Sequence, residues 1–128
     1  MNGKSSAGLT IAIPTYRRER VLVKTIHHLL SLSDSNVEIL ILDQSPFHTP
    51  DVQNELSKLH GIGKIHLTEL NEPSIPKAMN CGLIEASHDL VVFVDDDIIP
   101  EANLIRAHLR AHAMGSGLIV AGRIIQPW

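Results

Sequence analysis

Five short apolar runs alternate with four amphipathic segments along this 128-residue chain, and that alternation constrains the fold more than any other feature. "LTIAIP" (9–14), rich in β-branched residues and stopped by proline, predicts a first strand. "TYRRERVLVKTIHHLLSLS" follows, with Val21, Leu22, Ile26, Leu29 and Leu30 at helical spacing. "VEILILDQSP" (37–46) predicts a second strand, apolar on both faces until Asp43, as expected of a parallel sheet covered by helices. "DVQNELSKLHG" turns Val52, Leu56 and Leu59 to one side and stops at Gly61. "KIHLTEL" (64–70) alternates and predicts a third strand nearer an edge. "SIPKAMNCGLIEAS" carries Ile75, Ala78, Met79, Leu83 and Ala86 at helical spacing, with Pro76 in its first turn. "LVVFV" (90–94) is the fourth and least polar strand, "EANLIRAHLRAHAMG" a helix closed by Gly115, and "LIVAGRII" (118–125) a last strand.

The order β-α-β-α-β-α-β-α-β predicts one domain with an open, mostly parallel α/β sheet and helices on both faces. In such sheets ligands bind beyond the carboxyl ends of the strands, where strand order reverses. Three polar clusters fall at predicted strand ends: "PTYRR" (14–18), "DQS" (43–45) and "DDD" (95–97).

The triple aspartate raises the sharpest question, because like charges beside an apolar strand repel unless something positive offsets them. Were the strand to continue, Asp95 and Asp97 would share a side and suit Mg²⁺ or Mn²⁺, which take one or two carboxylates plus a substrate's phosphates. The plainer reading is an acidic turn in which Asp97 or a neighbour caps the next helix. Asp43 divides similarly, between a ribose or base contact and an Asx turn into "QSP". Arg17, Arg18 and Arg20 oppose the dipole of the helix they precede, which leaves room for an anion, and Lys77 holds a comparable place on the third helix. His108 and His112 share a helical face without a third ligand nearby and read as surface or half-buried histidines, while Cys81, within a helix, reads as packed rather than reactive.

Several classes are excluded or disfavoured. A net charge of −3 gives no basic footprint for nucleic acid, and a single cysteine forbids an internal disulfide. Neither G-x-G-x-x-G nor G-x-x-x-x-G-K-[ST] occurs, which argues against a dinucleotide oxidoreductase or P-loop kinase. A phosphotransfer domain with an acid after its first strand fits poorly, since that position reads "PTYRR". No apolar run approaches the roughly 20 residues that span a bilayer. The expected location is the cytoplasm, free or at the inner face of the membrane.

Taken in order, these pieces resemble the family 2 glycosyltransferases, which have the Rossmann-like GT-A fold. "IAIPTYRRERVLVKTIHHLL" is similar to that family's opening, usually I-P-T-Y-N-R and a leucine-spaced helix. "VEILILDQSP" resembles its second strand, "NEPSIPKAMNCGLIEAS" its N-x-G-x-x-x-A-R-N-x-G-[IL] stretch, and "HDLVVFVDDDIIPEANLI" its acidic D-x-D motif. The resemblance implies that Pro14, Thr15, Tyr16, Arg17, Asp43, Lys77, Asp95 and Asp96 line a nucleotide-sugar site. It also implies that Asp95 and Asp97 hold Mn²⁺ or Mg²⁺ on the diphosphate. Three departures stand out. Met79 replaces the arginine of A-R-N, Gln44 and Ser45 replace the glycine that often follows the second-strand acid, and the chain ends at Trp128, where family members continue. The expectation is a donor-binding half without the acceptor half or general base: either part of a sugar transferase or a non-catalytic nucleotide-binding module, self-associating through the face the other half would cover. No residue is assigned as catalytic.

Overall fold

In the computed structural model, which describes residues 3–115 and 119–125, the elements follow the expected alternation. They are β1 (Leu9–Thr15), α1 (Arg20–Leu32), β2 (Val37–Asp43), α2 (Pro50–Gly61), β3 (His66–Glu69), α3 (Ile75–Glu85), β4 (Val91–Phe93) and α4 (Leu104–His112). The four strands form one parallel sheet in the order β3-β2-β1-β4. β3 lies at an edge, as its alternation predicted. Strand order reverses between β1 and β4, because the chain steps outward from β1 to β3 and then returns to the far side of β1.

Side-chain alternation explains the layers. Leu9, Ile11 and Ile13 of β1, Ile39 and Ile41 of β2, and Val92 of β4 face α1 and α2 through Leu22, Ile26, Leu29, Val52 and Leu56, with Leu104 and Ile105 of α4 packed alongside. The intervening residues Ala12, Leu40 and Leu42 face α3 through Ala78. Helices therefore cover both faces, and the strands are apolar on both sides as their sequences required. α3 lies close to the sheet because the residues it presents are small. A Cβ on Gly82 would come within 2.9 Å of Leu42 Cδ1 and 3.1 Å of Phe93 Cε1. Its larger apolar residues Ile75, Met79 and Leu83 are correspondingly exposed.

Two expectations are corrected. Residues 119–125 form no strand, and Leu118 lies outside the described residues. Strand propensity needs a ladder partner to be realised; Ile119, Ile124 and Ile125 are instead exposed, and Arg123 lies 3.9 Å from Glu101 in the segment before α4. β4 also ends at Phe93, with Val94 donating to the Ala12 carbonyl at 3.1 Å. The aspartates thus lie in a loop and turn beyond the sheet rather than on the strand.

Candidate functional site

The fold brings all three polar strand ends to one edge of the sheet. At the β1/β4 seam, Thr15 Oγ1 donates to Asp96 Oδ2 at 2.8 Å and Thr25 Oγ1 of α1 donates to the Asp96 carbonyl at 2.9 Å. The Arg18 guanidinium lies 3.4 Å from Asp96 Oδ1 and 3.7 Å from Asp97 Oδ2. Asp96 is 9% exposed, whereas Asp95 and Asp97 face solvent. Burial pushes the Asp96 carboxyl above its usual range, with Asp97 and Asp95 adding to the push while Thr15 and Arg18 oppose it. Arg18 is therefore the positive group among the acids. The helix-cap reading of the triplet fails, because α4 begins only at Leu104 and Asn103 precedes it without a side-chain cap bond.

Thr15→Val keeps the shape of this seam and removes the hydroxyl, leaving a buried carboxylate oxygen without its neutral donor. The expected cost is about 1–3 kcal/mol, read from urea unfolding; an unchanged midpoint would show that Arg18 and water hold Asp96 unaided.

At the end of β2 both readings of Asp43 meet. The Ser45 N–H donates to Asp43 Oδ1 at 3.0 Å, closing the Asx turn, while Oδ2 lies 2.6 Å from His48 Nε2. The two residues that replace the family's glycine act as staples. Ser45 Oγ accepts the Arg17 N–H at 2.8 Å. The Gln44 N–H donates to the Thr15 carbonyl at 2.9 Å, and Gln44 Oε1 accepts the Ser74 N–H at 2.6 Å where α3 begins. A cleft of about 380 Å³ opens beside them, lined by residues that include Asp43, Phe47, His48, Gln53 and Glu69.

His48 lies between two acids, with Nδ1 3.1 Å from Glu19 Oε1. Burial alone would lower its pKa, but the hydrogen bonds and charges of Asp43 and Glu19 outweigh it and raise the value above the ordinary 6.5. A raised folded-state pKa gives stability that is fully present below about pH 6.5 and lost as pH rises through the folded value. Urea midpoints should therefore fall as pH climbs from 6.5 toward 8.5. The slope should flatten in His48→Gln, and equal slopes would remove the assignment.

The remaining predicted residues are placed as follows. Pro14 is half-buried; Tyr16 is partly exposed, with the Arg17 guanidinium carbon 5.2 Å from its ring centroid. Arg17 adopts φ +54°, in the left-handed region that long side chains rarely occupy. Arg20 pairs with Asp51, and Lys77 with Glu72 in the approach to α3. His108 and His112 stack with ring centroids 6.5 Å apart, both half-buried. Cys81 packs against the α3-side core, where burial and Glu85 push its thiol up. Among the described residues no group of three His, Cys, Asp or Glu side chains could by itself hold a metal ion. Sequence reasoning missed Glu19, Thr25 and His48 and gave Gln44 no role, because their contacts with Thr49, Asp96, Glu19 and Ser74 span about 30 residues or more.

Polar strand ends gathered beside the switch point of a parallel sheet lie where open α/β domains bind their ligands. The profile described as "Glycosyl transferase family 2" matches residues 10–127, and the chain belongs to that family. The fold is GT-A, the Rossmann-like half, as solved structures corroborate. The mannosyltransferase PcManGT from Pyrobaculum calidifontis, in complex with GDP-Man and Mn²⁺, is 19% identical with a TM-score of 0.65 over 83% of this chain and 33% of its own. S. aureus TarS 1-349 in complex with UDP-GlcNAc is 17% identical with a TM-score of 0.65 over 90% of this chain and 37% of its own. A further crystal structure of S. aureus TarS 1-349 gives 20% and 0.63 over 78% and 30%. This chain thus spans about a third of the length of those structures. A comparison with curated proteins finds no match.

Proposed function

We propose that this domain binds a nucleoside-diphosphate sugar together with Mn²⁺ or Mg²⁺, as the donor-binding portion of an enzyme that transfers the sugar to an acceptor hydroxyl. The observation that carries the reading is the meeting of "PTYRR", "DQS" and "DDD" at one sheet edge, with Asp95 and Asp97 exposed beside Arg18. Two open carboxylates are too few to cage a cation alone. They suit one whose coordination is completed by a diphosphate, as is usual for Mg²⁺. In this reading Asp95 and Asp97 hold the cation, which would offset charge developing on the departing diphosphate. Pro14, Thr15, Tyr16, Arg17, Asp43 and Lys77 line the nucleotide, and buried Asp96 acts by holding the metal-bearing turn against β1. The complexes of PcManGT with GDP-Man and Mn²⁺ and of TarS with UDP-GlcNAc support the ligand class.

Calorimetry with UDP and GDP, each with Mg²⁺ or Mn²⁺, tests the proposal: weak, metal-dependent binding is expected, and no heat with either nucleotide would sink it. A second reading is a non-catalytic nucleotide-binding module. A turnover assay over a panel of donors and acceptors separates the two. Self-association belongs to the donor-half reading, and light scattering at one-chain mass across concentrations would remove it. Among the described residues no helix is long and apolar enough to cross a membrane.

A further inference from the structure

His48 has a side chain only 2% exposed, yet both of its ring nitrogens face acids. Nε2 lies 2.6 Å from Asp43 Oδ2 at the end of β2, and Nδ1 lies 3.1 Å from Glu19 Oε1 just before α1. Ionised carboxylates only accept hydrogen bonds, so both contacts are made together only when both ring nitrogens carry protons. A neutral ring would turn one lone pair toward a carboxylate. The same clamp extends through Glu19 Oε2, which accepts from the Thr49 N–H and Oγ1, each at 3.1 Å.

We propose that His48 is a positioning residue for donor binding: as an imidazolium it ties the end of β2 to the segment preceding α1, fixing Asp43 and one wall of the 380 Å³ cleft. The proposal rests on the reading of this edge as the nucleotide site. It adds a device that the three strand-end clusters do not contain, since His48 belongs to none of them. Asp43 keeps its two oxygens aimed by Ser45 and His48, and the 44–49 loop is pinned at both ends.

The charged groups around the ring bear on how it titrates. Asp43 faces it from β2 and Glu19 from the approach to α1. Glu69 at the end of β3 lines the same cleft, while Asp51 at the start of α2 is engaged by Arg20. The immediate neighbours are thus acidic and favour the charged ring. Losing a ring proton breaks one of the two ties and frees the loop. Nucleotide affinity should therefore fall with rising pH above about 7, a range in which a terminal phosphate has already completed its own titration near 6.

The experiment measures UDP and GDP affinity with Mg²⁺ from pH 7 to 9 for the wild-type chain, His48→Gln and Glu19→Gln. The wild type should weaken about tenfold across that range, the scale of one lost charge-assisted contact. His48→Gln should bind about tenfold more weakly at pH 7 and then stay flat. Glu19→Gln, a change at a solvent-accessible residue, should move the midpoint of the decline to lower pH, because the ring loses one of its two acids. Should His48→Gln fail to fold, the Glu19→Gln midpoint alone decides. A His48→Gln profile that parallels the wild type, or a Glu19→Gln midpoint that does not move, overturns the proposal while leaving the nucleotide site intact. Absence of wild-type binding to either nucleotide removes the site itself and the positioning role with it.

Discussion

Replacing Asp95 and Asp97 together by asparagine is expected to weaken metal-dependent binding of UDP or GDP by at least about 100-fold, because two charge-assisted contacts worth roughly 1.5–3 kcal/mol each disappear. The fold should barely register the change. Both residues face solvent, and Asp97 meets Arg18 only at 3.7 Å. Removing two like charges next to buried Asp96 also relieves repulsion there. Unfolding should therefore stay within about 1 kcal/mol of the wild type, the range of ordinary surface substitutions. Thr15→Val gives the opposite profile, costing stability first. Calorimetry and urea unfolding on the same preparations separate the two effects. A double variant that still binds nucleotide with wild-type metal dependence would move the cation site elsewhere.

Gly8→Ala is expected to be the most damaging single methyl addition, costing about 3–5 kcal/mol. Gly8 holds φ +95°, and a Cβ built on it would lie 1.9 Å from the Asn36 carbonyl oxygen. That oxygen cannot easily retreat, because it accepts the Leu9 N–H at 3.0 Å where β1 begins. Leu9 is in turn registered against Val37, the first residue of β2. The clash therefore lands on the start of the central strand pair. Gly63→Ala is the control: it has φ +77° with nothing within 4 Å of the added atom, so only the backbone preference is lost, about 1–2 kcal/mol. Equal urea midpoints for the two variants would show that Gly8 matters only for its φ.

The strands were legible because their residues must satisfy two faces at once. Within a strand, Ile39, Leu40, Ile41 and Leu42 can be buried together only when both faces are covered. The site was legible as three separate strand ends, since polar residues directly after buried strands stand out by contrast. What escaped was the bonding among those ends. Gln44 bonds residues about 30 positions away on either side, and Thr25 reaches the carbonyl of Asp96 from the buried face of α1. No local pattern announces such partners. His48, one of eight histidines, belongs to none of the three clusters. The expected last strand had suitable residues, but over 119–125 it pairs with none of the four strands of the sheet.

The loop that links β1 to α1 also fixes how much charge it offers outward. Three arginines within four positions suggest a strongly cationic lip. Yet Arg18 is matched by Asp96 and Asp97, and Arg20 by Asp51, so among the described residues Arg17 alone of the three lacks a carboxylate. Its left-handed backbone, at the position where the family's usual opening has asparagine, sends its guanidinium over Tyr16 while its neighbour turns toward the acids. The lip thus shows an approaching polyanion roughly one uncompensated charge rather than three. Its long-range pull is correspondingly gentle and fades within about 8 Å at physiological ionic strength. Capture at this edge is a matter of short-range fit more than of electrostatic reach.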